Sequence, residues 1–447
     1  MPLELRPHQV DTLAFYIANK NCLNRSEPAT GKTAPSCVMA KFVNENENGS
    51  TVFVMPKSLL VKNEEEITNW TGLKTLIYRG KPTLDKWKGE TYDVILTTAD
   101  TFANHFEQIR RMLAKQFGLL VADETHLYWS SAKAKRTQFI LAHCRKIPRN
   151  IWLTGTVIRG RLDSAFPVIQ MIEPRYYGNH QTFMSQHSVQ DSFTGEVIGW
   201  CNEAKINAIL KIHSVNYLFR DVYGDPDYIY LPTHVDIDSK HYKAYKEFEE
   251  FANLELDDDS ILYATEAGVQ TIRCRQILGC PEVLGLKIAD YGKDDWIFEN
   301  LLNGDYQKVV LFSAMQGEQV RLVRKIEERG FKVGLINGTV DGNKRGQIDK
   351  AFREGDLQVI VASPATAGVG LNWHNCEVAA FVSIDYMDDN ITQATFRFIR
   401  GKRDKTIPIY LLKYKNTIED KIYGITYQKS LLASKADSSR KPLQGLF

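Results

Sequence analysis

Several things are scarce or absent in this sequence, and each absence excludes a class of protein. The seven cysteines are odd in number and contain no Cys-x-x-Cys pair. That excludes a zinc module and argues for a reducing compartment rather than a disulfide framework. Cys274 and Cys280 are the closest pair, and they read as small buried side chains. No apolar run approaches the roughly 20 residues of a membrane span. The N-terminal segment, with Glu4 and Arg6 and no apolar stretch, lacks signal-peptide character. Net charge is only +2, so any contact with nucleic acid must come from local patches rather than global basicity. No repeat or low-complexity tract stands out. The expectation is a soluble, intracellular, cytoplasmic chain. At 447 residues, 43% hydrophobic and 25% charged, it is too long for one compact core and predicts two or three folded domains.

What is present concentrates in two strings. Ser26-Glu27-Pro28-Ala29-Thr30-Gly31-Lys32-Thr33 reads as a phosphate loop. The loop from Pro28 to Thr33 wraps the phosphates with the backbone N–H groups of residues 29–33, Lys32 neutralises their charge, and the Thr33 hydroxyl is offered to Mg2+. Cys22-Leu23-Asn24 is the candidate entering strand, and Ala34 to Val43 the helix whose N-terminus faces the anion. Ser26 stands where such loops usually begin with glycine. Downstream, Leu119-Leu120-Val121-Ala122 reads as a buried parallel strand ending in Asp123-Glu124. Carboxylates at the C-terminal end of such a strand lie where open α/β sheets place their chemistry. Asp123 is placed to hold Mg2+ through water, and Glu124 to orient or deprotonate an attacking water. The pair of strings predicts an ATP-hydrolysing site.

Short apolar runs alternate with amphipathic segments up to residue 157, as in βαβ units. Strands are expected at Thr51 to Met55, Val94 to Thr97, Leu119 to Ala122 and Ile151 to Thr154. A second alternation runs through Lys308 to Phe312, Lys332 to Ile336, Gln358 to Ala362, Val378 to Val382 and Ile407 to Leu412. The fold class is therefore α/β with two open parallel sheets. The divisions are 1–157, a less regular and partly helical middle region 158–295, and 296–447. Within the middle, Lys240 to Leu256 reads as helix and Phe193 to Trp200 as a short hairpin. Late in the chain, Arg397 and Arg400 are spaced to share a helical face with Gln393. Two guanidinium groups there could reach a γ-phosphate and stabilise transition-state charge.

These motifs, in this order, resemble the superfamily-two helicases, and within them the Swi/Snf-related DNA translocases, from Leu5 to about Leu432. The resemblance implies two RecA-like, doubly wound lobes with ATP and Mg2+ as cofactors and DNA as partner. Leu5-Arg6-Pro7-His8-Gln9 is similar to the motif whose glutamine, here Gln9, reads adenine. Val54 to Leu60 and Leu96 to Thr101 resemble DNA-contacting segments, bringing in Lys57 and Thr98. Leu153-Thr154-Gly155-Thr156 resembles the motif linking hydrolysis to DNA movement, with Thr154 and Thr156 as couplers. His126 and Gln393 join them, because each can hydrogen-bond in a state-dependent way. Ile336 to Thr339 and Ala367 to Asn372 resemble DNA-side and cleft segments, bringing in Thr339 and Gly370. Pro364 departs from the usual Ser-Thr pair, and Thr366 is the substitute hydroxyl. Compact chains of this size resemble phage-encoded helicases that remodel forks and Holliday junctions, which would place the protein in a host cytoplasm. The alternatives are a duplex translocase that strips bound proteins and a non-motile ATP-binding scaffold. Segment 188–200 reads either as a strand-separating wedge or as a packed linker.

Overall fold

The structure is a computed structural model and describes residues 4–225, 228–256, 260–367, 371–399, 405–438 and 442–443. It divides into two compact units, Met1–Asp225 with Lys429–Pro442, and Pro226–Gln428 with Leu443–Phe447. The stretch 158–295 is therefore apportioned between the two units at Asp225.

The first unit is built on strands β1 (Asn21–Asn24), β2 (Gly49–Val54), β3 (Thr75–Ile77), β4 (Val94–Thr97), β5 (Gln116–Asp123) and β6 (Arg149–Leu153). A hairpin of β7 (Ser188–Gln190) and β8 (Val197–Trp200) stands apart from them, and the two-residue β9 (Ser214–Val215) closes the sheet. The sheet order is β3-β4-β2-β5-β6-β1-β9, with every pairing parallel. Side chains alternate across it. Phe53, Leu119, Val121, Ile151 and Leu153 enter one core, whereas Val52, Val54, Leu120, Ala122 and Trp152 enter the other. Both faces are covered, which is why these strands read as continuous apolar runs rather than as alternating ones.

The second unit contains β10 (Tyr228–Val235), a small hairpin of β11 (Asn253–Glu255) and β12 (Ile261–Tyr263), and then β13 (Val309–Phe312), β14 (Val333–Ile336), β15 (Val359–Ala362), β16 (Val378–Phe381) and β17 (Ile407–Tyr414). Its main sheet, ordered β10-β17-β16-β13-β15-β14, is also wholly parallel. Val309, Leu311, Val359, Val361, Val378 and Ala380 share one core.

Three expectations need correction. The Lys240–Leu256 helix is Ser239–Phe251. It stops because Ala252 takes a left-handed conformation, and the chain re-enters as β11 with Leu254 buried. Asp257, Asp258 and Asp259 lie outside the described residues. β10 was hidden in the middle region, since Pro232 and the polar Thr233 and His234 mask it. It is an edge strand, where proline is tolerated. Lastly, the helix expected to present Arg397 ends at Thr395. Phe396 and Phe398 are both buried, and tight-turn bonds run from Arg397 N–H to the Ala394 carbonyl and from Phe398 N–H to that of Thr395. Arg400 lies outside the described residues, as does Gly370.

Candidate nucleotide site

Because the first sheet is parallel, the C-terminal ends of its strands emerge on one edge. In sheet order, β4 delivers Thr98, β2 Lys57, β5 Asp123 and Glu124, β6 Thr154 and Thr156, and β1 the phosphate loop. The nucleotide candidates thus sit on neighbouring strands, with Lys57 and Thr98 on the β2–β4 side. Lys57 is exposed at the start of a short 3-10 helix. Thr98 caps the helix Ala99–Asn104, and its hydroxyl donates to Thr101 Oγ1 at 2.9 Å.

The loop is pre-shaped. Ala29 and Gly31 take positive φ, 66° and 82°, turning successive amides toward one concavity, the backbone arrangement that holds anions. Only glycine fits at position 31, because a Cβ there would stand 2.6 Å from Gln9 Nε2. Gln9 spans the loop's root. Its Nε2 donates to the Gly31 carbonyl at 3.0 Å, and its Oε1 accepts from Arg6 N–H at 2.9 Å. That leaves one N–H and one lone pair for a base edge. His8 Nε2 lies 2.9 Å from the Thr30 carbonyl, so that nitrogen carries the proton. Lys32 Nζ donates to the carbonyls of Ser26 and Glu27, at 2.7 and 3.3 Å. The helix Thr33–Asn46 follows at once, with Pro35 in its first turn. Pro28 packs against the β6 loop, where a Cβ on Gly155 would meet its ring at 3.2 Å.

Sequence reasoning missed the clamp behind this loop. β9 and the residues after it pair with it over a long chain separation. Arg25 N–H donates to Val215 carbonyl, Glu27 N–H to Tyr217 carbonyl, and Tyr217 N–H to Ser26 Oγ, each at 3.0 Å. Phe219 N–H reaches Glu27 Oε2 at 2.6 Å. Ser26 therefore does what glycine could not: it supplies a side-chain acceptor that ties the loop to segment 214–219. Arg25 adds a buried ion pair to Asp437 and a 2.7 Å bond to Ser214 Oγ. The substitution of serine for glycine was the only local signal of this clamp.

The carboxylate pair is strained and electrostatically loaded. Glu124 adopts the left-handed region (φ 48°, ψ 47°), which costs a non-glycine residue about 1–2 kcal/mol. Its N–H donates to Asp123 Oδ1 at 2.9 Å. Burial and then the Glu124 charge push the Asp123 pKa up to about 7, against the pull of Lys32. Beside them His126, Thr154 and Thr156 come together. His126 Nδ1 is 2.8 Å from Thr154 Oγ1 and 3.4 Å from Glu124 Oε2. Thr154 Oγ1 donates to the Thr156 carbonyl at 2.9 Å and accepts Thr156 N–H at 3.0 Å. With the threonine proton committed, Nδ1 of His126 must carry the hydrogen of its bond to Thr154.

These residues fit a magnesium-bound nucleoside triphosphate. The anion nest and Lys32 match phosphate charge. Among the described residues no hydrogen bond engages the Thr33 hydroxyl, and the upward-shifted Asp123 is a carboxylate that a cation would relieve. Among the described residues, no group of three or more His, Cys, Asp or Glu side chains is arranged to hold a metal.

The raised Asp123 pKa makes the stability of the fold depend on pH. A carboxyl whose folded pKa is raised costs the fold nothing below about pH 4. The cost grows as pH rises from 3.8 and is complete above about 7. Asp123→Asn should therefore stabilise the metal-free protein at pH 8 by roughly 1–3 kcal/mol, a Tm rise of about 2–8 °C, with little change at pH 4. Thermal melts of both proteins at the two pH values test this, and an unchanged or lower Tm at pH 8 contradicts it.

In the second unit, Thr339 follows β14, Thr366 follows β15 in the short helix Pro364–Ala367, and Gln393 and Arg397 follow β16. Gln393 and Arg397 are buried, and the Arg397 carbonyl accepts Trp373 N–H at 2.8 Å. None of the seven cysteines is in a disulfide; Cys274 and Cys280 are buried, as expected. No helix among the described residues is long and apolar enough to cross a membrane.

Two parallel α/β units, the first with a phosphate loop beside an acidic strand end, define the two-sheet nucleotide-dependent helicase class. Residues 8–284 match the SNF2-related domain, and residues 292–402 the helicase conserved C-terminal domain. The chain belongs to the SNF2-related family of superfamily-two helicases. It is 22% identical over 457 residues to the Bos taurus DNA annealing helicase and endonuclease ZRANB3, covering 98% of this chain and 41% of that protein. It is 21% identical to an uncharacterized ATP-dependent helicase of Mycoplasma pneumoniae, covering 92% of this chain and 39% of that protein. The chain thus spans about two fifths of the length of each of these two relatives. Among solved structures it is similar to the Sulfolobus solfataricus SWI2/SNF2 ATPase core in complex with dsDNA, at 20% identity and TM-score 0.45, over 98% of this chain and 94% of that one.

Proposed function

We propose that this chain is an ATP-hydrolysing DNA motor acting on branched DNA. The observation that carries the ATPase reading is the junction of phosphate loop, carboxylate pair and His126–Thr154–Thr156 chain on one sheet edge. Lys32 and the amides of residues 29–33 would bind the phosphates, and Thr33 and Asp123 would hold Mg2+, which would supply neutralisation of the phosphate charge. Glu124 orients and deprotonates water. His126, bonded to Thr154 and 3.4 Å from Glu124, passes the state of that carboxylate to the β6 loop. Gln9 reads the adenine edge with its remaining N–H and lone pair. Arg397 and Arg400 stabilise transition-state charge, Gln393 couples and Gly370 lines the nucleotide side. Lys57, Thr98, Thr339 and Thr366 contact DNA phosphates, so base sequence matters little. Glu124 argues against a non-motile scaffold, which needs no water activator.

The branched-DNA reading is supported by the β7–β8 hairpin. Asp191 Oδ1 accepts N–H bonds from Phe193 and Thr194, at 2.9 and 2.8 Å, fixing the turn. Phe193 is left 98% exposed at its tip. A rigid hairpin ending in a bare aromatic ring suits stacking on an unpaired base, a contact worth ~1–3 kcal/mol. In fork-unwinding assays Phe193→Ala should slow strand displacement by about tenfold and leave duplex-stimulated ATP hydrolysis within twofold. Removal of a protein roadblock from plain duplex, with no unwinding of forks by the wild type, would instead place the chain among duplex translocases.

A further inference from the structure

At the C-terminal edge of the second unit's sheet, a chain of buried amides and hydroxyls leads inward from the exposed Thr339, and apart from Thr339 none of the roles above uses it. The Thr339 hydroxyl has one proton and donates it to Asn337 Oδ1 at 2.7 Å. Thr339 N–H donates to the same oxygen at 3.0 Å. Asn337 Nδ2 donates to Gln319 Oε1 at 2.8 Å, and Gln319 Nε2 to the Ser313 carbonyl at 2.8 Å. Ser313 Oγ reaches Glu318 Oε2 at 2.6 Å, the oxygen that also binds the Ser383 hydroxyl. Ala314 N–H closes the circuit on Ser383 Oγ at 3.1 Å. The path runs from the end of β14 to the end of β13 and on to the end of β16. None of Ser313, Glu318, Gln319, Asn337 and Ser383 is more than 7% exposed, so water cannot replace a lost partner cheaply.

The path ends beside the residues assigned to ATP chemistry. From Ser383 the chain turns through Asp385. Its Oδ1 accepts Met387 N–H at 2.9 Å and its Oδ2 accepts Asn390 Nδ2 at 2.7 Å, which sets the first turn of the helix Asp388–Thr395. Gln393 lies on that helix and Arg397 just beyond it.

Each amide in the path has a fixed direction, with oxygen toward Thr339 and nitrogen toward β13. A backbone phosphate only accepts hydrogen bonds. To engage the Thr339 hydroxyl it must take the single proton that Asn337 now holds. Phosphate and Asn337 therefore compete for one hydrogen. We propose that Asn337 and Gln319 are positioning residues that transmit phosphate occupancy at Thr339 to the Ser383–Arg397 segment, making ATP turnover respond to DNA. This rests on the reading of Thr339 as a DNA contact.

The test is steady-state ATP hydrolysis by the full chain with and without duplex DNA. Asn337→Asp keeps the acceptor for Thr339 but loses the N–H given to Gln319. Gln319→Glu keeps the acceptor for Asn337 but loses the N–H given to Ser313. Gln319→Met cuts the path without burying a charge, and so serves if the glutamate variant does not fold. Each variant should lose about tenfold of the DNA-stimulated kcat. The DNA-free kcat and the KM for ATP should stay within about twofold. Undiminished stimulation in the folded variants overturns the proposal. So does a parallel fall in the DNA-free rate, which would make the path a structural brace. A wild type that DNA does not stimulate at all removes the DNA-contact reading and this proposal with it. A stimulated wild type with unaffected variants sinks the transmission path alone.

Discussion

Glu124→Gln should bind ATP within about threefold of the wild-type affinity and turn it over about 10²–10⁴-fold more slowly. The amide has the shape of the carboxylate and can sit in the same left-handed backbone position (φ 48°), so the fold should not change. What it lacks is a lone pair basic enough to take a proton from water. Lys32→Ala should behave differently. It removes the ammonium that already spans the loop to the Ser26 and Glu27 carbonyls, and both nucleotide affinity and turnover should fall. Equilibrium titration with a fluorescent ATP analogue, paired with phosphate-release kinetics, separates the two patterns. Near-wild-type turnover by the Gln variant would remove Glu124 from its role.

Arg397→Ala should lower kcat by about 10³-fold while changing nucleotide affinity less than about fivefold. An arginine that acts on charge developed in the transition state contributes little to ground-state binding. Arg397→Lys should recover little, because a point charge does not reproduce a planar two-pronged donor. The side chain is buried, 7% exposed, so loss of packing is a competing explanation. The bond from Trp373 N–H to the Arg397 carbonyl uses the backbone and survives truncation. A melting transition within a few degrees of the wild type, together with the fall in kcat, supports the catalytic role. Equal losses in binding and turnover would make Arg397 a ground-state contact.

The parts legible in the sequence were those whose signal is local. Leu119 to Ala122 is apolar at every position because both faces of β5 are covered, and the acidic pair simply follows it. The phosphate loop was readable from Gly31-Lys32-Thr33, since the backbone needs of an anion nest dictate the residues. What escaped depends on distant partners. β9 is two residues long and has no periodicity to detect, yet Tyr217 fixes Ser26 across 191 residues of chain. β10 lies at a sheet edge, half-buried along most of its length, and carries Pro232. The helix before Arg397 ends at Thr395 and passes into tight turns at Arg397 and Phe398, an end that no local pattern in the sequence marks. Likewise, nothing local marks Asn337 and Gln319 as partners; only the approach of β14 to the helix Gln316–Glu328 makes them so.

Whether ATP hydrolysis drives movement along DNA is measured directly by displacement of a labelled triplex-forming strand from duplex DNA. The wild type should release the third strand with ATP and Mg2+, but not with a non-hydrolysable analogue, and Glu124→Gln should release none. Release should also weaken steeply with added salt, because backbone phosphates carry the contact. ATP hydrolysis that is indifferent to DNA, with the third strand left in place, would contradict hydrolysis-driven movement.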